Sequence, residues 1–301
     1  MRTSVLTAVP AAFAIFAMAA CNDATTSLTE QEQVLAAARD QLGGMMDTTF
    51  GQSGVVATTS VTGGVMSVDS VSAPGFWGRL RVVPGGPRPV IHRDVTIQGD
   101  SAWVTQTVSY QGVFLVDTSA DTTFNPSSKP LADGSTQSVV FVRDPVRPRG
   151  WRAVALTIQN WQNTDVTRRT VTVGSVAVYV NGILKLTVIN PDSLYGAANR
   201  IPRLFVGDTV KIVAAVTNTT GGGLAPATFV FLHVRHMDVA DVTWRRVKMK
   251  DNGDGTYQRA FIVRRTGADR FVVDAIDAAT LALGTVDNYR ASEWGIPYRI
   301  E

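Results

Sequence analysis

The stretch Leu204-Phe-Val-Gly-Asp-Thr-Val-Lys-Ile-Val-Ala-Ala-Val-Thr-Asn218 decides the fold of this chain. Val210, Ile212, Ala214 and Val216 recur at every second position, so one face of an extended strand is apolar and the other polar. Thr219 to Gly223 breaks the run. Upstream, Val176–Val180 and Ile183–Ile189 flank Asn181-Gly182, the dipeptide that supplies the positive φ of a tight hairpin turn. Asn190 to Pro202 reads as a connector. Downstream, Phe229–Val234, Trp244–Met249, Tyr257–Val263 and Arg270–Ala275 follow at intervals of about 13–15 residues with no helix between them. This spacing predicts a β-sandwich over residues 169–301, including its leading hairpin.

Three pieces of that region resemble bacterial Ig-like domains. They are Val206-Gly207-Asp208-Thr209-Val210 running on to Asn218, the Asp251 to Tyr257 turn, and the late unit Gly267 to Ala275. The resemblance implies the sandwich fold and no particular function, because such domains host many roles.

The first half of the chain reads differently. Ser27 or Thr29 caps a helix over about 29–42; Glu30 and Glu32 suit its first turn, and Val34, Leu35, Ala38 and Leu42 form its apolar stripe. Gly43-Gly44 ends it. Val55–Val61 and Val65–Val71 are weakly patterned strands in a Gly/Ser/Thr-rich stretch. Phe76–Val83 alternates around Trp77, and Val90–Ile97 turns through Gln98-Gly99-Asp100 into Ala102–Val116. Asp117 to Gly134 reads as a polar loop, and Ser138–Val142 and Trp151–Ile158 flank a second loop. One helix followed by an antiparallel meander predicts a small α+β domain over 28–168. The helix, the strand/Gly-Asp/strand unit at 95–108 and Gly150-Trp151-Arg152 resemble the NTF2-like (cystatin-like) fold. The whole chain is therefore expected to be mainly β, an α+β domain followed by an Ig-like β-sandwich.

At the start of the chain, Arg2 precedes an uncharged run from Val5 to Ala20, with Pro10 inside it. This is the pattern of a cleaved export signal, residues 1–20. Met18-Ala19-Ala20-Cys21 resembles the lipobox of bacterial lipoproteins, and Cys21 is the only cysteine in 301 residues. The resemblance implies lipid attached to Cys21, a tether at 21–27, and residence in the cell envelope on the periplasmic or outer face of a membrane. Two or more acyl chains hold a protein far more firmly than one.

Composition narrows the remaining classes. Hydrophobic content is 45% and charged content 18%, which is globular. Net charge is +3, with Arg outnumbering Lys 23 to 5 and neither half concentrated enough in cations for nucleic acid. The expected partner is the membrane through its anchor, with any protein or glycan ligand unspecified.

No nucleophile elbow, phosphate loop or dinucleotide fingerprint is present, so no cofactor and no catalytic or metal-binding set is expected. His233 and His236 are three apart in a strand, on opposite faces, and read as strand-surface residues rather than metal ligands. Asp251, Asn252 and Asp254 read as a hairpin turn rather than a calcium loop. An inward Asp or His in an NTF2-like cone could act as a base, which makes His92, Asp94 and Tyr110 the candidates for a small-ligand carrier or enzyme. Arg246, Lys248 and Lys250 with Trp244 could form a cationic stripe on one strand face, the feature an adhesin or glycan binder would use; the plainer reading is a solvated face.

Overall fold

The computed structural model describes residues 28–43, 45–46, 76–81, 83, 85–119, 125–196, 201–220, 224, 226–235, 244–282 and 288–301. The leader, Cys21 and its tether, the weak strands at 55–61 and 65–71, and His236 lie outside the described residues. Among those described, no helix is long and apolar enough to cross a membrane.

The protein is mainly β, built from a curled antiparallel sheet and a second, smaller sheet. Helix α1, Glu30–Leu42, opens on a capping box: the Thr29 hydroxyl accepts from the Glu32 amide while the Glu32 carboxylate accepts from the Thr29 amide at 2.7 Å. Its buried stripe is Val34, Ala37, Ala38 and Leu42. In chain order follow β1 (Phe76–Leu80), β2 (Val90–Gln98), β3 (Ser101–Asp117), β4 (Ser127–Arg143), β5 (Trp151–Leu156) and β6 (Gln159–Asn163). Then come β7 (Val171–Val180), β8 (Ile183–Val188), β9 (Tyr195–Gly196), β10 (Arg203–Leu204), β11 (Thr209–Asn218), β12 (Thr228–Val234) and β13 (Arg245–Lys248). The chain ends with β14 (Lys250–Asp251), β15 (Thr256–Ile262), β16 (Gly267–Asp277), the short helix α2 (Ala278–Ala282) and β17 (Ala291–Ile300).

The spine is the β3–β4 hairpin, paired from Ser101↔Val142 to Val116↔Ser127, roughly 55 Å of extended chain. Each edge of this hairpin serves two strands. On the β3 edge, β2 covers the half near the hairpin's open end and β1 the other half. On the β4 edge, β5 and β6 divide the length in the same way. Even-numbered residues of β3 and odd-numbered residues of β4 face one concave side. Ala102, Val104, Val139 and Phe141 there receive α1, together with Trp151 and Leu156. Each large apolar side chain buried in this way contributes about 1.5–3 kcal/mol.

From β6 the sheet continues without a break into the C-terminal region, in the order β6-β17-β16-β12-β13. Ser292↔Gln162 and Gly295↔Gln159 set the register of that junction. The sheet then curls back on itself: Arg246 on β13 donates to the Trp77 carbonyl on β1 at 2.9 Å, and the Trp77 ring lies 4.9 Å from that of Phe231. The opposite face of β12, β16 and β17 carries Val230, Leu232, Phe271, Val273, Trp294 and Ile296. It packs on the second sheet, β14-β15-β11-β7-β8, through Val176, Val178, Val210, Ile212 and Ala214. The 204–218 stretch thus places its apolar alternation inward as expected, and Asn181 and Gly182 adopt φ of 50° and 82° at the hairpin turn.

Three expectations are corrected. The polar loop at 117–134 gives way at Ser127, where β4 begins, and Pro130 is tolerated because only β3 pairs with that end of the strand. The strand expected at 151–158 ends at Leu156 as β5, and an unexpected strand, β6 (Gln159–Asn163), follows it on a different part of the β4 edge. β17 was not anticipated from sequence at all, and it carries the pairing between the two regions.

Candidate functional site: a buried charge network and an arginine-lined cleft

The most unusual chemistry lies inside the curl. β1 turns Trp77 and Arg79 onto the concave face and the residue after it, Arg81, follows them; arginines there need carboxylates if they are to stay charged out of water. Arg79 clamps Asp274 of β16 with two bonds, Nη1 at 2.6 Å and Nη2 at 2.8 Å, while its Nε donates to the Tyr289 hydroxyl at 2.8 Å. Arg81 reaches Asp133 of β4 at 2.8 Å and Glu293 of β17 at 2.7 Å. Tyr289 in turn donates to Asp133 at 3.0 Å. His233 of β12 shares Asp274 through Nε2 at 3.0 Å. Aromatic rings wall the cluster: Arg81 lies 4.5 Å from the Trp161 centroid and Arg246 lies 3.6 Å from that of Trp77.

Arg79, Arg81, Asp133, Asp274, Glu293 and His233 are each at most 5% exposed. Burial opposes ionisation of Asp274, but Arg79 and the His233 hydrogen bond outweigh it and hold the carboxyl well below its usual range. Glu293 goes the other way. Burial dominates over Arg79 and Arg81, with Asp274 and Asp133 adding repulsion, and its pKa is pushed up to about 7. Its Oε2 has no hydrogen-bond partner among the described residues, which leaves a place for that proton. Burial lowers the His233 pKa, more strongly than Asp274 raises it, so the ring is neutral at pH 7. Burial also brings Arg246 down to about 10.

Chemically the network can fix register. Arg79 meets Asp274 across 195 residues of sequence only when β1 is seated correctly over β16. A sealed His–Asp pair whose carboxylate is already clamped by a guanidinium is arranged for packing two regions together.

The second feature is open to solvent. A cleft of about 450 Å³ lies where the end of α1 meets β5, β10 and β17, lined by Asp40, Gln41, Arg147, Arg152, Arg203 and Arg299 among others. Asp144 holds Arg152 at 3.1 Å, Asp40 holds Arg149 at 3.1 Å, and Glu301 lies 3.8 Å from Arg203.

The residues singled out from sequence are distributed as follows. His92 and Asp94 share a strand face, with Nε2 and Oδ1 2.9 Å apart, but it is the outward face, their side chains being 68% and 65% exposed. Tyr110 lies on the concave side, packed on Trp161 at 5.5 Å, so the three do not converge. His233 is buried rather than on the strand surface. Arg246, Lys248 and Lys250 do not form one stripe. Arg246 turns in over Trp77, while the chain changes sheets at buried Met249, placing Lys250 on β14 of the second sheet. Trp244 takes Arg235 over its ring at 4.6 Å. The Asp251–Gly255 segment is a turn: Asp251 Oδ1 accepts from the Gly253 amide at 2.8 Å and Asp254 Oδ1 from the Thr256 amide at 2.9 Å. No group of three His, Cys, Asp or Glu fit to hold a metal occurs among the described residues.

The network residues were readable in part. Arginines at i+2 and i+4 from Trp77 on an alternating strand, and a lone Asp inside Phe271-Val-Val-Asp274-Ala-Ile276, each signal a buried charge in search of a partner. Compared with known proteins, the chain matches no family model, no curated protein and no solved structure.

Proposed function

We propose that this chain is an exported bacterial lipoprotein, anchored through acylated Cys21, whose β-rich body is a non-catalytic binding or structural module of the cell envelope. The observation that carries the reading is Met18-Ala19-Ala20-Cys21 behind an uncharged run, with that cysteine the only one in the chain. In this reading residues 28–168 follow the NTF2-like pattern, supported by α1 lying on the concave face of a curled sheet. Residues 169–301 follow the Ig-like pattern, supported by five strands packed on β12, β16 and β17.

A structural or binding role is favoured by how the buried polar groups are used. Asp274, Asp133 and Glu293 are engaged by Arg79 and Arg81, out of reach of solvent, where they join the two regions. The space next to Tyr110 is filled by Trp161, Val108 and Val272. Labelling with radioactive palmitate in the native host tests the anchor. Label should enter the wild type and be absent from Cys21→Ala, which should also leave the membrane fraction. Equal label in both proteins overturns the reading.

A further inference from the structure

We propose that one rim of the molecule, the end bearing the β7–β8 hairpin turn and the 205–208 turn, rests against an anionic phospholipid surface. The proposal builds on the reading of Cys21 as the anchor. Strand directions bring a particular set of segments to this rim. β3 starts here and β4 ends here, beside the start of α1, whose Glu30 pairs with Arg143. β17 and β10 run parallel and end here as well. The arginine-lined cleft joins the end of α1 to Arg203 and Arg299, and the Asn181 amide group donates to Asp208 at 2.7 Å, joining the hairpin turn to the 205–208 turn. The described chain thus begins beside Arg143, at the β3–β4 end of this rim, and α1 runs from there to Arg203 and Arg299.

The rim has the chemistry of a membrane-contacting face. Val146, Ile183, Leu184, Phe205 and Val206 project from it, 87%, 61%, 52%, 55% and 53% exposed. Each sits at a turn or at the end of a strand, where it can enter the headgroup region without disturbing a ladder. Lys185, Arg203, Arg264 and Arg299 are exposed around them. Of the nearby acids, Asp208 is occupied by Asn181 and the Phe205 amide, and Glu301 lies 3.8 Å from Arg203, which leaves Lys185, Arg264 and Arg299 as the cations beside the apolar tips. Apolar tips ringed by cations suit the boundary between acyl chains and negatively charged headgroups. Reach agrees: the seven residues 21–27 span at most about 25 Å at full extension, so an anchor at Cys21 keeps this end near the bilayer.

The test uses the acylated full chain, in which lipid blocks Cys21 and leaves an introduced cysteine as the labelling site. Phe205→Cys and Leu184→Cys carry a polarity-sensitive fluorophore on the rim. Asp254→Cys carries it on the turn at the far end of β11, about 33 Å away. The three are compared in vesicles of phosphatidylcholine alone or with phosphatidylglycerol, using a quencher fixed to the lipid chains, after circular dichroism shows that each is folded. The expected result is several-fold stronger quenching at 205 and 184 than at 254, only with phosphatidylglycerol, and weakened by salt or by Arg264→Glu with Arg299→Glu. Equal quenching at 205 and 254 in vesicle-bound protein overturns docking and leaves the anchor standing. Equal quenching in both vesicle types overturns the anionic surface. A fluorophore that is already shielded in detergent in a concentration-dependent way assigns the rim to a second copy instead. Failure of the anchor looks different: Cys21 itself takes the label, and a chain then not recovered with the vesicles overturns both readings.

Discussion

Arg79 and Asp274 form a two-bonded ion pair, and both are out of water. Removing one partner of such a pair leaves an uncompensated charge in a low-dielectric site, whereas removing both does not. Arg79→Met is expected to cost about 3–5 kcal/mol in chemical denaturation, and Arg79→Met with Asp274→Leu clearly less than the sum of the two single changes. Glu293 makes a prediction about pH. Its folded pKa of about 7 stands above the ordinary 4.5, so the folded state holds a proton that the unfolded state releases between those values. Its contribution is complete below about pH 4.5 and is lost as pH rises through 7. Stability of the wild type relative to Glu293→Gln should therefore fall by about 3 kcal/mol between pH 4.5 and pH 8, measured by urea unfolding. Asp274 and His233 act in the opposite sense. Both are shifted down, so their contributions stand above the usual carboxylate and imidazole ranges and are lost on acidification. A comparison against the variant isolates Glu293 from them.

At the scale of elements, β1 depends on one position of another strand. A Cβ added to Gly112 of β3 would lie 2.0 Å from the Leu80 carbonyl oxygen, because the chain leaving β1 crosses β3 there and carries Arg81 inward. Gly112→Ala should displace β1 and expose Trp77, seen as a red shift and easier quenching of tryptophan fluorescence together with a loss of about 3 kcal/mol or more. The capping box of α1 makes a smaller demand: Thr29→Ala should cost about 1 kcal/mol. Elements whose pattern is local could be read from sequence. The 209–218 strand, the Asn181-Gly182 hairpin and the α1 stripe each declare their period within a dozen residues. β17 does not, because Gly295 and Pro297 interrupt its pattern and both are explained only by partners far away. Gly295 makes room for Arg270, whose Cδ would lie 2.8 Å from an added Cβ. Pro297 pairs only with Arg270, between the stretches that pair with β6 and β10, where the missing amide hydrogen costs no ladder bond. The expected grouping of Arg246, Lys248 and Lys250 failed for a related reason. Period two held up to Met249, and a change of sheet, which has no local signature, then separated the cations.

The whole molecule is tied together through its interior. The sheet passes from β6 into β17, and the charge network draws Arg79, Arg81 and Asp133 from the first region and Asp274, Glu293 and His233 from the second. A boundary near residue 168 separates two sequence patterns, while the ladder bonds and the buried charges cross it. The proposed function rests on the other end of the chain, at Cys21, and the proposed membrane contact rests on that anchor. The two regions are therefore expected to fold and unfold as one body. Amide hydrogen exchange read by mass spectrometry tests this most directly, comparing peptides from β3–β4 with peptides from β7 and β11. The most protected amides in both should open with the same free energy, and Asp274→Ala should lower both by the same amount. Separate opening free energies, with only one region responding to Asp274→Ala, would contradict it.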